Sequence, residues 1–188
     1  MPAEPLSWEQ FLELPDLPDG RRAVALIDGE VVWMAPPTVN HQMIGRNVVF
    51  ALAAWTGPGI AGGYAFHEPL VRVEGRPLGY VADAGYFPPE RVFVDEGGFL
   101  RVEGLPSIAV EVWSPSNWAS EIHRKARDFA RAGVSELWGV SPEQRIVTRF
   151  ADIVAGAYET VCDIPPGGEL VTPLLEGFRL DIATLFLP

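Results

Sequence analysis

Ser107-Ile108-Ala109-Val110-Glu111-Val112-Trp113 is the stretch that most narrows what this chain can fold into. It is apolar on both faces except at one carboxylate, which is the pattern of a buried strand. Side chains alternate along a strand, so Ile108, Val110 and Val112 point one way while Ala109, Glu111 and Trp113 point the other. A lone carboxylate in such a setting costs several kcal/mol unless it is paired or bound to a metal. Glu111 therefore has two readings. Either the strand has a wet face or an arginine partner, or the carboxylate serves a metal or a reaction.

The flanking sequence supplies the layers that such a strand needs. Ser7-Trp8-Glu9-Gln10 has the form of a capping box and opens a short helix over 8–14, closed by Pro15. Two β-like runs, 22–27 and 30–34, are split by Asp28-Gly29, a strong hairpin signal. Thr38 or Asn40 can cap a long helix to about Trp55, with Ile44, Val48, Leu52 and Trp55 on one face. Strands are expected over 63–66, 70–73 and 80–87, with a loop after the last of them. A second helix over 119–132 is ended by Gly133. Strands 136–140 and 145–150 form a hairpin over Ser141-Pro142-Glu143-Gln144. The segment 156–188 suggests one or two edge strands and a terminal turn over 182–186. With 188 residues and no repeat or linker, the expectation is one α/β domain with a mixed sheet.

Composition excludes several classes. The chain is 48% hydrophobic and 21% charged, as globular chains are. No apolar run nears the roughly 20 residues of a membrane span, and the first residues lack the features of a signal peptide, so a cytoplasmic protein is expected. One cysteine, Cys162, rules out a disulfide framework and a cysteine-rich zinc site. The net charge of −11 argues against tight, non-specific binding to nucleic acid but leaves room for a local basic strip. Thirteen of the 14 basic residues are arginine. Lys125 is the sole lysine, retained where coding bias has otherwise favoured arginine, and the two side chains differ chemically.

Asp83 poses the same problem as Glu111, lying among small and apolar residues in Tyr80-Val81-Ala82-Asp83-Ala84-Gly85-Tyr86-Phe87. Two such carboxylates on adjacent strands repel unless a cation lies between them. Glu30, just after the hairpin turn, is a third candidate, though that position is often solvated. On the second helix Ile122, Ala126, Phe129 and Ala130 form the apolar stripe. Lys125 stands at its border, about 60° from Ile122, and its stem can run along the core. A surface pair with Glu121 would explain it equally well. Arg124, Arg127 and Arg131 fall on the opposite, wet face and form the candidate basic strip.

Taken in order, Leu26-Ile27-Asp28-Gly29-Glu30, His41, Asp83, Val110-Glu111-Val112-Trp113-Ser114-Pro115-Ser116, Lys125 and Ala132-Gly133-Val134-Ser135-Glu136-Leu137-Trp138 resemble the Uma family of restriction-endonuclease-like proteins. That family is a bacterial branch of the PD-(D/E)xK nuclease superfamily. The resemblance runs from about Ser7 to the C-terminus and rests on the ordered set rather than on any single piece. It implies a restriction-endonuclease-like fold, with a central mixed sheet flanked by helices and an N-terminal helix and hairpin. It also implies a Mg²⁺ or Mn²⁺ site that hydrolyses phosphodiesters, DNA being the expected partner. By position Asp83 and Glu111 match the metal-binding carboxylates. Trp113 stands where a lysine usually does, and Lys125 on the following helix matches the lysine the family uses instead. Glu30 matches an extra acidic residue, and His41 a recurrent histidine. His41, Ser114, Ser116 and the three arginines are candidate substrate contacts. The chain departs from the family pattern at Ala82, Leu137 and Ser141. A silent interaction domain on a nuclease-like scaffold, or a metal hydrolase of small phosphate esters, suits the acidic charge as well. Shortness and exposed-looking tryptophans hint at a homodimer.

Overall fold

The computed structural model describes residues 5–34, 36–114 and 119–188. Ser7 caps α1 (Trp8–Leu12) in the expected reciprocal box, its hydroxyl accepting from the Gln10 N–H and the Gln10 side chain accepting from its own N–H. The helix stops two residues before the expected end. β1 (Arg22–Ile27) and β2 (Glu30–Met34) form the hairpin, with both turn residues, Asp28 and Gly29, at positive φ. Thr38, rather than Asn40, caps α2 (Val39–Thr56). Six strands follow: β3 (Tyr64–His67), β4 (Leu70–Arg72), β5 (Gly79–Val81), β6 (Ala84–Phe87), β7 (Val92–Val94) and β8 (Leu100–Val102). The core continues with β9 (Ile108–Val112), α3 (Ala119–Ala132) and β10 (Glu136–Ser141). The remaining strands are β11 (Ile146–Val154), β12 (Ala157–Ile164), β13 (Glu169–Leu170) and β14 (Leu180–Asp181), ahead of a 3₁₀ turn, Ile182–Phe186. The region expected as a loop after β6 holds the β7–β8 ribbon.

The main sheet has six strands in the order β12-β11-β10-β9-β6-β3. Its one parallel pair is β9–β10, joined by α3 as the crossover, and its other pairs are antiparallel. A smaller sheet runs β2-β1-β5-β4. The expected burial of β9 holds on both faces. Ile108, Val110 and Val112 pack with Ile44, Val48 and Leu52 of α2, while Ala109 packs with Ala126 and Phe129 of α3. Trp113 also lies on the α3 side, its ring passing over Gly139 so closely that a Cβ there would meet it at 1.9 Å. The position where a lysine was to be looked for is thus committed to packing.

The stretch expected as one strand over 80–87 is two. β5 pairs with β1 and β4 in the smaller sheet, and β6 pairs with β3 and β9 in the larger. Ala82 and Asp83 make the crossing. The Ala82 N–H donates to the Pro69 carbonyl and the Asp83 N–H to the Val110 carbonyl, each at 3.0 Å, so the crossing leaves neither donor unpaired.

Glu136, singled out as part of the family pattern, is buried at the start of β10. Its carboxylate accepts from Trp138 Nε1 at 2.9 Å and from Thr172 Oγ1 at 2.7 Å, and it pairs with the Arg149 guanidinium. Glu136 stands opposite Ile108, at the far end of the parallel pair from Glu111. Its role is to join β10 to β11 and to the segment around Thr172, away from the cleft described next.

Candidate active site

The carboxyl ends of β9 and β10 open into a cleft of about 1140 Å³, in the place where open α/β sheets commonly bind ligands. His41, Asp83, Glu111, Ser114 and Lys125 all line it. Ala84 pairs with Val110 in antiparallel register, so Asp83, one step back, comes alongside Glu111. The two carboxylates that looked out of place in separate strands are neighbours.

Glu111 is buried, its side chain only 8% exposed. Lys125 Nζ donates to Glu111 Oε2 at 2.5 Å, while Oε1 has no hydrogen-bond partner among the described residues. The ammonium also sits 5.2 Å from the Tyr80 ring centroid and 5.9 Å from that of Phe129, so its stem follows the core border as expected. Burial pushes the Glu111 carboxyl up to about 7, against the pull of Lys125, with the Asp83 charge pushing the same way as burial.

Asp83 is held by two donors. The Val112 N–H reaches its Oδ2 at 2.6 Å, and His41 Nε2 lies 3.3 Å from the same oxygen and 3.1 Å from the Val112 carbonyl. The bond to Asp83 raises the His41 imidazole above its ordinary range, more than burial lowers it.

Other expected residues fall elsewhere. Glu30 is exposed at the hairpin turn and does not line the cleft, whose wall begins near Trp33 and Met34, about 10–13 Å further along β2. Arg127 and Arg131 are exposed and outside the cleft lining. Arg124 is half-buried rather than on a wet face, with its Nη1 3.5 Å from the Tyr80 hydroxyl. Ser116 lies outside the described residues. The sequence reading missed Arg22 and Arg46, both among the residues lining the cleft, Arg22 being paired with Glu68 and the Arg46 guanidinium donating to Asn47 Oδ1. Arg46 lies five residues after His41 on α2, yet nothing in local pattern marks it. Asp128 was missed too. It is buried within α3 and accepts from the Tyr80 hydroxyl at 2.6 Å, fastening the helix to β5.

The donor set suits a hard cation. Among the described residues no group of three or more His, Cys, Asp and Glu side chains could hold a metal ion. Mg²⁺ and Mn²⁺ do not demand one, since Mg²⁺ keeps several waters and commonly takes one or two carboxylates with substrate phosphate. A buried carboxylate oxygen without a partner, beside a second carboxylate, fits that requirement.

The raised Glu111 carboxyl has a measurable consequence. Its folded value, about 7, lies above the ordinary 4.5, so the fold favours the protonated form. That stabilisation is present below pH 4.5 and is lost as pH rises through about 7. At about 1.4 kcal/mol per pH unit, ionising Glu111 costs the metal-free fold on the order of 3 kcal/mol. Glu111→Gln is therefore expected to gain stability over the wild type between pH 5 and pH 8, read as the difference between their urea midpoints without added metal. Parallel pH profiles would show that Glu111 titrates normally.

The mixed α/β architecture is that of a nuclease-like protein. Its sequence matches the family model described as "Uma2: Putative restriction endonuclease" over residues 8–183, and the chain belongs to that family. A solved structure from Anabaena variabilis, described as "a putative nuclease belonging to DUF820", superposes with a TM-score of 0.77. The match covers 97% of this chain and 98% of that one at 19% identity, a likeness of fold. No curated protein matches the sequence.

Proposed function

We infer that the chain is a divalent-cation-dependent nuclease that hydrolyses phosphodiester bonds of DNA in this cleft. The observation that carries the reading is the buried Glu111 carboxylate, one oxygen held by Lys125 and the other without a partner among the described residues, beside Asp83. Asp83 and Glu111 would hold Mg²⁺ or Mn²⁺. When bound, the ion polarises the scissile phosphate and acidifies an attacking water. Lys125 contributes a compact positive charge, preorganised by Glu111 and two rings, where negative charge grows on the phosphoryl oxygens. Arg22 and Arg46 stand among the lining residues, but so does Glu68, which pairs with Arg22, and the cleft keeps the acidic character of the chain.

A cation bound only by the folded form stabilises it by mass action. Millimolar Mn²⁺ is expected to raise the melting temperature of the wild type and leave that of Glu111→Gln unchanged, and Mn²⁺ is expected to start cleavage of plasmid DNA by the wild type only. A melting curve indifferent to Mn²⁺, with no cleavage, would instead support an interaction domain on a nuclease-like scaffold. A Mn²⁺ response with turnover confined to small phosphate esters would support a different hydrolase.

A further inference from the structure

We propose that His41 is the positioning residue of this site, donating one shared hydrogen bond to Asp83 Oδ2 and the Val112 carbonyl and so leaving Asp83 Oδ1 for the cation. The proposal rests on the reading of Asp83 and Glu111 as metal ligands. The N–H and C=O groups of alternate residues in β9 face opposite neighbours. Trp113 N–H donates to Val140 of β10, while the Val110 carbonyl accepts from Asp83 on the β6 side. The Val112 peptide groups face that same side, where β6 begins only at Ala84 and no longer offers a strand partner. Unpaired buried peptide groups are costly. Here two side chains take them: Asp83 Oδ2 accepts from the Val112 N–H, and His41 Nε2 meets the Val112 carbonyl.

The chemistry of the contact sets the tautomer. A carbonyl oxygen only accepts, so Nε2 must carry the hydrogen. Nε2 therefore has no lone pair to offer a metal or a substrate proton, and the role proposed for His41 is a supporting one. The same N–H is within reach of Asp83 Oδ2. With the Val112 N–H and His41 both on Oδ2, the carboxylate is fixed in rotation, and Oδ1 takes no hydrogen bond from the described residues. Glu111 is arranged in parallel, Oε2 held by Lys125 and Oε1 bare. Each carboxylate is thus gripped by one oxygen and free at the other. His41 itself is placed by the first turn of α2, where its N–H donates to the capping Thr38 hydroxyl at 3.2 Å. Groups that orient a metal ligand in this way typically contribute 10–100-fold to metal affinity.

Calorimetric titration of the full chain with Mn²⁺ alone tests this without any assay of cleavage. His41→Ala is expected to weaken Mn²⁺ binding by about 10–100-fold. His41→Gln, whose amide N–H can stand near the position of Nε2, is expected to stay within a few-fold of the wild type. Asp83→Asn is expected to abolish binding. Thermal melts of each variant separate loss of fold from loss of affinity. If His41→Ala is folded and binds Mn²⁺ as the wild type does, or if the glutamine variant is folded but no better than the alanine one, His41 only plugs the strand end and the proposal is overturned. A wild type that binds no Mn²⁺ overturns the reading of the site itself, and this inference falls with it.

Discussion

Lys125→Arg is expected to retain the fold and Mn²⁺ binding while cutting Mn²⁺-dependent cleavage of DNA by about 100-fold or more, the loss typical when a preorganised electrostatic contact is removed. The geometry makes the conservative change severe. Nζ stands 2.5 Å from Glu111 Oε2, between that carboxylate and the rings of Tyr80 and Phe129. An ammonium fits there as a compact point charge. A guanidinium is planar, wider and forked, so its charge is spread over three nitrogens and moved away from the point that the ammonium occupies. Initial rates on a supercoiled plasmid, with Mn²⁺ affinity measured alongside, distinguish the outcomes. Cleavage near the wild-type rate would show that any positive charge suffices at this position and would remove Lys125 from the reaction.

The largest effect on stability is expected at the other end of the parallel strands. Glu136→Ala should destabilise the fold by about 3–5 kcal/mol, the usual cost of stripping one partner from a buried ion pair. It would leave Arg149, whose side chain is only 16% exposed and whose Nε already lacks a partner, as an uncompensated charge. It would also strip acceptors from Trp138 and Thr172. Replacing Glu136 and Arg149 together by apolar residues of similar volume should cost much less than the two single changes summed, because no buried charge is then left behind. Urea unfolding of the two single variants and the double one gives the coupling directly. A loss under about 1 kcal/mol for Glu136→Ala would mean that water, rather than this network, satisfies Arg149. Mn²⁺ affinity should be unaffected throughout, since the network lies away from the cleft.

Much of this molecule was written locally in its sequence. The period-two pattern of 107–113 placed β9 in the interior and singled out Glu111, because a strand's alternation assigns each side chain to a face whatever its neighbours are. The capping box, the Asp28-Gly29 turn and the glycine after α3 are equally local signals, each tied to a backbone group or a positive φ. Helical spacing put Lys125 at the edge of the buried stripe, where the structure has it.

What the tertiary structure decided were pairings across sequence distance. Periodicity made 80–87 a single strand, and only the pairing of its halves with different sheets breaks it at Asp83. That break puts Asp83 beside Glu111 and leaves the Val112 carbonyl for His41, which is 71 residues away in the chain. The β1–β2 register holds Glu30 at the outer turn, so an acidic residue that matched the family by order is not brought to the cleft. Glu136 and Glu111 look alike in sequence, each a lone carboxylate in an apolar strand. Their roles diverge because one end of the parallel pair meets Arg149, Trp138 and Thr172, while the other meets a lysine and an open cleft. A strand's sequence sets which face each residue occupies, but what waits at either end depends on chain that arrives from elsewhere.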